Sequence, residues 1–245
     1  PRRARRRESR PEIEAVLTVA VVIPALDEEQ ALPAVLAALR PHAATGAAAA
    51  LPAAAAGAPP SWVAGEGWRV DQVVVADNGS RDRTAELARA LGATVVSEPR
   101  RGYGRACLAA LAVLRDRAPG PPQAVAFLDA DGSSDPAELG ALLAPLVAGR
   151  ADLVIGSRVL GGAEPGALTP VQAAGNRLAA FLLRALFGVC ATDLGPYRAI
   201  RWPALERLGM RDRDYGWTGE MQARAARAGR ATIEVPARWR RRRGG

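Results

Sequence analysis

The chain alternates short apolar runs with segments whose apolar residues recur every three or four positions. Val16 to Pro24 is rich in Val and long enough for a strand covered on both faces. Asp27-Glu28-Glu29 follows, putting negative charge where a helix begins, and Leu32, Val35, Leu36 and Leu39 then recur at helical spacing. Val70 to Ala76 predicts a second buried strand, closed by Asp77-Asn78-Gly79-Ser80. Thr84 to Leu91 reads as a short helix stopped by Gly92, and Thr94 to Ser97 as a third strand. Gly104 to Arg115 is helical, and Ala124 to Leu128 is again a strand. Asp135-Pro136 supplies an N-cap and a first-turn proline for a helix reaching Val147, with Gly149 as its stop. Leu153 to Gly156 is a further strand, 171–187 a helix with an apolar stripe, and Thr218 to Ala228 a helix ended by Gly229. Strands alternating with helices at this rhythm predict an α/β chain with a mostly parallel sheet flanked by helices. Ligands of such sheets bind beyond the carboxyl ends of the strands, where Pro24 to Glu29, Asp77 to Ser80 and Asp129 to Asp131 all fall.

Composition narrows this picture. A length of 245 residues supports one sizeable core, read here as a single domain over 15–240. Residues 43–67 are almost all Ala, Pro and Gly and read as a low-complexity insertion. All 33 basic residues are Arg, and the net charge of +8 is concentrated in basic tails, 1–14 at one end and Arg238 with Arg240 to Arg243 at the other. Without those ends the body is near neutral, so nucleic acid is not an expected partner, and an aromatic content of 4% offers little to stack on bases. Cys107 and Cys190 are too few for a disulfide framework and read as reduced and buried, which suits a cytoplasmic chain. No apolar run reaches the length of a membrane span, and the N-terminal Arg run is not followed by the apolar stretch of a signal peptide.

The chemistry concentrates in Phe127-Leu128-Asp129-Ala130-Asp131-Gly132. In an extended segment Asp129 and Asp131 share a face, so either or both can hold one divalent cation. Hard oxygen ligands favour Mg²⁺ or Mn²⁺, with water and a substrate phosphate completing the shell. An EF-hand loop is excluded, because Gly140 stands where its bidentate Glu belongs and Ser134 where its Gly belongs. A haloacid-dehalogenase-type phosphatase would need a Lys, and the chain has none. Helix capping leaves the pair unexplained, because Asp135 already serves the next helix.

Together these segments resemble the family 2 glycosyltransferases, with their GT-A fold, and within them the bacterial branch related to dolichol-phosphate mannosyl- and glucosyltransferases. The resemblance is carried by Val21 to Glu29, Val75 to Asp82, Arg101-Gly102-Tyr103-Gly104-Arg105-Ala106, Asp129 to Gly132, Asp193 to Ala199 and Tyr215 to Gln222, in that order. It implies an inverting hexosyltransferase using a UDP- or GDP-hexose and Mg²⁺ or Mn²⁺. Pro24, Ala25, Glu28, Glu29, Asp77, Gly79, Arg105 and Asp129 would bind the donor nucleotide, and Asp129 and Asp131 the metal. Asp131, Glu220 and Asp193 would be catalytic, with Glu220 or Asp193 as base for a hydroxyl acceptor. Arg158, Arg198, Trp217, Arg238 and Arg240 would face the acceptor or its phosphate in a smaller acceptor-side region, 157–200, which contains a loop over the site and the amphipathic helix. Leu26 replaces the family's usual aromatic, and the single histidine, His42, precedes the insertion, away from the later motifs.

A polyprenyl phosphate is already a nucleophile near neutral pH and needs cations more than a base. The basic segment and the amphipathic stretch with Arg177 and Arg184 tilt the expected acceptor toward such a lipid, at the inner face of the plasma membrane. In relatives a Gly-x-Ser-Lys stretch often follows such a basic segment, so 241–245 reads as a tail cut short. A non-catalytic binding module with the same fold is the rival from a different class.

Overall fold

A computed structural model describes residues 16–41, 62–189 and 191–243. The tail 1–14, His42, most of the insertion, Cys190 and the last two residues lie outside the described residues.

The Val-rich run forms β1 (Leu17–Ala25) in the interior of an eight-stranded sheet. Its odd-numbered side chains enter one hydrophobic cluster and Ala20 and Val22 enter another on the opposite face. That double burial is why the run is continuous instead of alternating. β3 (Trp68–Asp77) and β5 (Ala124–Phe127) flank β1, both parallel to it. β2 (Ala64–Gly65) and β4 (Thr94–Ser97) pair with β3 on its far side. Beyond β5 the direction alternates: β7 (Arg198–Arg201) is antiparallel to both β5 and β6 (Leu153–Ser157), and β8 (Thr232–Pro236) runs parallel to β6 at the edge. Two reversals restore the direction, so β1, β3, β5, β6 and β8 all end on one edge of the sheet.

On one face of the sheet pack α1 (Leu32–Ala38), α2 (Thr84–Ala90) and α4 (Leu139–Val147); on the other pack α3 (Tyr103–Arg115), α7 (Trp202–Leu208) and α8 (Trp217–Arg227). α5 (Arg158–Gly161) is a single turn after β6, and α6 (Pro170–Phe187) lies against α8. Asp135 caps as its sequence predicts, accepting from Ala137 N at 3.1 Å, but the first turn is a 3-10 helix over Pro136–Glu138 before α4 begins.

The hydrophobic pattern did not anticipate β2, β7, α7 or β8. β7 is only Arg-Ala-Ile-Arg, and β8 is a half-buried edge strand, so neither shows a run or a clean alternation. The end of the 43–67 stretch belongs to the fold: Trp62 is buried, and Val63 N donates to Leu39 O at 2.9 Å.

The glycines of Arg101-Gly102-Tyr103-Gly104-Arg105 admit a close neighbour. A Cβ at Gly104 would collide with the Asp212 carbonyl oxygen, and one at Gly102, whose φ is +143°, with that of Arg213. The approach is fixed by bonds from Gly104 N to Asp214 O at 3.3 Å and from Arg105 N to Arg213 O at 3.1 Å. Gly104→Ala is therefore expected to destabilise the fold by about 2 kcal/mol, through forced displacement of the 212–214 loop. Urea unfolding will read this as a lower midpoint at unchanged slope; an unchanged midpoint would show that the loop yields freely.

Candidate active site

Strand register builds the site. Ala25 pairs with Asp77 and Val22 with Phe127, so the residues following β1, β3 and β5 emerge side by side. Asp27 turns the chain with a φ of +56°, and the two loops after β1 and β3 are then zipped together. Asp27 N donates to Ser80 Oγ at 3.0 Å, Glu28 N to Thr84 Oγ1 at 2.8 Å and Glu29 N to Asp82 Oδ2 at 3.0 Å. In return Arg81 N donates to Asp27 Oδ1 at 2.7 Å and Arg83 N to Glu29 Oε2 at 3.1 Å. The carboxylates of Asp27 and Glu29 thus hold the loops, and only that of Glu28 is left for the cluster described below.

Asp77 is buried and accepts from Ser80 N at 3.2 Å across Gly79, which has a φ of +81°. Asn78 joins the loop after β3 to the loop after β4. Its Nδ2 donates to Glu98 O and Arg100 O, both at 2.9 Å, and its Oδ1 accepts from Gly102 N at 2.8 Å.

Glu28, Asp129 and Asp131 form the electrostatic centre. Tyr103 donates its hydroxyl to Asp129 Oδ1 at 3.2 Å. Asp131 Oδ1 accepts from Ser133 N at 2.9 Å, while Oδ2 accepts from Arg242 Nε at 2.6 Å. Arg242 Nη2 also lies 4.0 Å from Glu28 Oε1, whereas buried Glu28 Oε2 has no partner among the described residues. Burial, and then the Asp131 charge, push the Glu28 carboxyl up to about 7 despite Arg242. The same two causes raise Asp129 to about 6, with Tyr103 and Arg242 opposing.

Three crowded carboxylates, one guanidinium and an orphaned buried oxygen are a donor set short of positive charge, which suits Mg²⁺ or Mn²⁺. Among the described residues no three His, Cys, Asp or Glu side chains converge closely enough to cage an ion. The protein's share of any coordination is therefore partial, as expected where a diphosphate supplies the rest.

On the other side, Asp193 is fully buried and accepts from Arg158 three times: from N at 2.7 Å, Nε at 2.8 Å and Nη2 at 2.6 Å. Glu220 accepts from Asp212 N at 2.8 Å, from Arg211 N and from Arg224 Nε at 2.7 Å. Burial would raise the Glu220 carboxyl, but these donors hold it below the usual range. Arg198 lies in the core, its guanidinium directed at the carbonyls of Gly195, Leu194 and Thr218. Trp217 is buried edge-on against Phe127, with ring centroids 5.9 Å apart. Arg198 and Trp217, expected to face the acceptor, are thus both buried in the core. Arg105 lines a separate shallow cavity with Glu98, Arg100 and Arg213. Arg238 is exposed, its main-chain N bonded to Glu138 at 3.0 Å, and Arg240 pairs with Asp135. The loop 161–170 is tied through Glu164 to Trp239 and Arg241.

Sequence reasoning missed Asn78, Tyr103, Ser133 and Arg242 as site residues. Tyr103 lies inside a quoted motif, but Arg242 is one of four consecutive arginines and carries no local sign of its partner.

The glycosyl transferase family 2 model matches residues 20–209. An uncharacterized glycosyltransferase of Mycobacterium tuberculosis is 39% identical over 219 residues, covering 89% of this chain and 83% of the relative. A dolichyl-phosphate hexose transferase of Haloferax volcanii is 34% identical over 180 residues, covering 70% and 71%. Glucosyl-3-phosphoglycerate synthase of Mycobacterium tuberculosis, solved with Mn²⁺, UDP and glucosyl-3-phosphoglycerate, superposes with a TM-score of 0.65 at 24% identity, over 100% of this chain and 78% of that one. The chain thus has the fold of that enzyme, an α/β sheet of the GT-A type.

The raised carboxyls have a consequence for stability. Folded protein keeps protons on Glu28 up to about 7 and on Asp129 up to about 6, where the unfolded chain has lost them. Stability from this source is present below the unfolded values and is lost as pH rises through the folded ones. Without divalent cation, the melting temperature should fall between about pH 4 and about pH 7, and fall less in Glu28→Gln. Parallel pH profiles for the two proteins would remove Glu28 from the cluster.

Proposed function

The chain belongs to glycosyl transferase family 2, and from that membership we propose an inverting, metal-dependent transfer of a hexose from a UDP- or GDP-sugar to a polyprenyl phosphate at a membrane surface. The observation that carries the choice of acceptor is the state of the two carboxylates suited to be a base. Asp193 is paired with Arg158, and Glu220 is saturated by main-chain and Arg224 donors. Both carboxylates are already engaged as acceptors, and a phosphate acceptor, with a second pKa of about 6, does not require a base. A hydroxyl acceptor would.

The donor diphosphate is assigned to the Glu28, Asp129 and Asp131 cluster, with the nucleoside over the β1 and β3 loops, where Pro24, Ala25, Glu29, Asp77 and Gly79 lie. Asp129 and Asp131 would hold Mg²⁺ or Mn²⁺, which supplies charge neutralisation of the departing diphosphate. Tyr103 and Ser133 fix the two carboxylates in place, and Arg158, held by Asp193, adds positive charge near Asp129. Cations preorganised around developing negative charge provide the stabilisation. Ions of this kind accompany UDP in the synthase with the same fold, and a dolichyl phosphate is named for the Haloferax relative.

The membrane surface is supported by α6. Ala180 and Leu183 face the protein, while Val171, Leu178, Phe181, Leu182 and Leu186 are exposed, Val171 by 82%. Arg177 and Arg184 are the charged residues between Pro165 and Thr192, and no acid interrupts them. Such a helix lies in a bilayer interface; no helix among the described residues is long and apolar enough to cross one.

Calorimetry with UDP- and GDP-hexoses, with and without Mn²⁺, will identify the donor, and metal-independent binding would count against the scheme. Asp131→Ala should lose at least about 10³ in turnover, roughly 4 kcal/mol, whereas Glu220→Gln should stay within about tenfold of wild type on a polyprenyl phosphate. A collapse of Glu220→Gln turnover with an intact fold would favour the hydroxyl acceptor. Phe181→Asp with Leu186→Asp should abolish flotation with anionic vesicles while transfer to a short, soluble prenyl phosphate persists. Undiminished flotation would place the membrane contact elsewhere.

A further inference from the structure

Residues 238–243 form a strap across the acidic cluster. Trp239 bridges to both Ser134 and Ala163, Arg240 N donates to Ser133 O at 2.8 Å, and Arg243 N donates to Asp131 O at 3.0 Å. On its other side Arg241 N donates to Glu164 Oε2 at 2.9 Å and Arg241 Nε to Pro165 O at 2.8 Å. The Arg158 guanidinium lies over the Trp239 ring, 5.0 Å from its centroid. The strap thus joins the loop after β5 to the loop after α5.

Its one side chain directed into the cluster is Arg242. The guanidinium bonds Asp131 Oδ2 at 2.6 Å and lies 4.0 Å from Glu28 Oε1, with both carboxylate side chains at most 8% exposed and its own 67% exposed. A tethered monovalent cation therefore touches one of the two carboxylates proposed to hold the metal. A guanidinium has no acceptor lone pair and cannot share that oxygen with a divalent ion at coordination distance without repulsion.

We infer that Arg242 is a built-in counter-ion that competes with the divalent cation for Asp131, so that metal loading frees Arg242 and loosens the 238–243 strap. This rests on the metal-dependent reading above. Arg242 keeps the cluster tolerable when no metal is bound, because removing it would leave three carboxylates without a contacting cation among the described residues. It also lowers the affinity for metal alone, by the factor with which it occupies the site. The metal then binds well only when a donor diphosphate adds its own oxygens to the shell. The strap, spanning the donor-side and acceptor-side loops, responds to that exchange.

The test measures Mn²⁺ binding without nucleotide, by calorimetry, on wild type, Arg242→Gln and the neighbouring control Arg241→Gln. Arg242→Gln should bind Mn²⁺ on the order of tenfold more tightly, with Arg241→Gln unchanged. Hydrogen exchange of wild type should show faster exchange at the amides of Arg240 and Arg243 on adding Mn²⁺. Equal Mn²⁺ affinity in all three proteins, or slower exchange of the strap with metal, would overturn the competition while leaving metal dependence standing. Absence of Mn²⁺ binding in all three, with or without UDP- or GDP-hexose, would overturn both.

Discussion

Like charges held together at the end of a parallel sheet are the constraint from which the rest of this structure follows. Glu28, Asp129 and Asp131 approach because β1 pairs in register with β3 and β5, and that register is fixed by side chains buried on both faces of β1. At reduced dielectric such crowding opposes folding. The fold compensates locally. Asp27 and Glu29 are absorbed by main-chain donors of the β3 loop, Ser133 and Tyr103 donate to the Asp pair, and Arg242 contributes the contacting positive charge. What remains uncompensated, the Glu28 oxygen and the raised carboxyls, is the part of the molecule that gains most from a cation.

The sheet's reversal at β7 separates two kinds of work. The parallel half, β1, β3 and β5, presents acidic side chains and tightly bonded loops. The half beyond β7 presents Arg158 from the end of β6, locked by Asp193 from the turn before β7. Because β6 runs in the direction of β5, that Arg reaches the same edge as the acids and opposes the rise of the Asp129 carboxyl from across the site. Charge of opposite sign thus arrives from opposite halves, a geometry suited to holding a diphosphate between them.

Much of the parallel half was legible in the sequence, and the reason is periodicity. Buried parallel strands give continuous apolar runs, and the polar residue after each run marks the edge of the sheet. The half beyond β5 was less legible, because its residues are defined by distant partners. Arg198 sits in a motif and looks like a phosphate ligand. Its capture by the Thr218 carbonyl, 20 residues on, makes it a core residue. Trp217 and Glu220 begin a helix in the manner of exposed recognition residues, yet one packs on Phe127 and the other clamps the loop that the Gly102 and Gly104 backbone approaches. Arg242 was hidden for a different reason: a run of identical residues cannot reveal which member turns inward.

The exposed apolar side of α6 gains meaning from how the helix is attached. Asn176, on the protein-facing side, accepts from Leu194 N at 2.8 Å and donates to Thr192 O at 3.4 Å. Those residues bracket Asp193, whose carboxylate orients Arg158. A helix facing water would bury its large apolar residues, because each Leu or Phe left exposed forgoes roughly 1.5–3 kcal/mol. Here the helix keeps most of them outward while its inner face is bonded to the turn that positions Arg158. A surface that immersed Phe181 and Leu186 would thereby set the depth and direction of Arg158 relative to the interface.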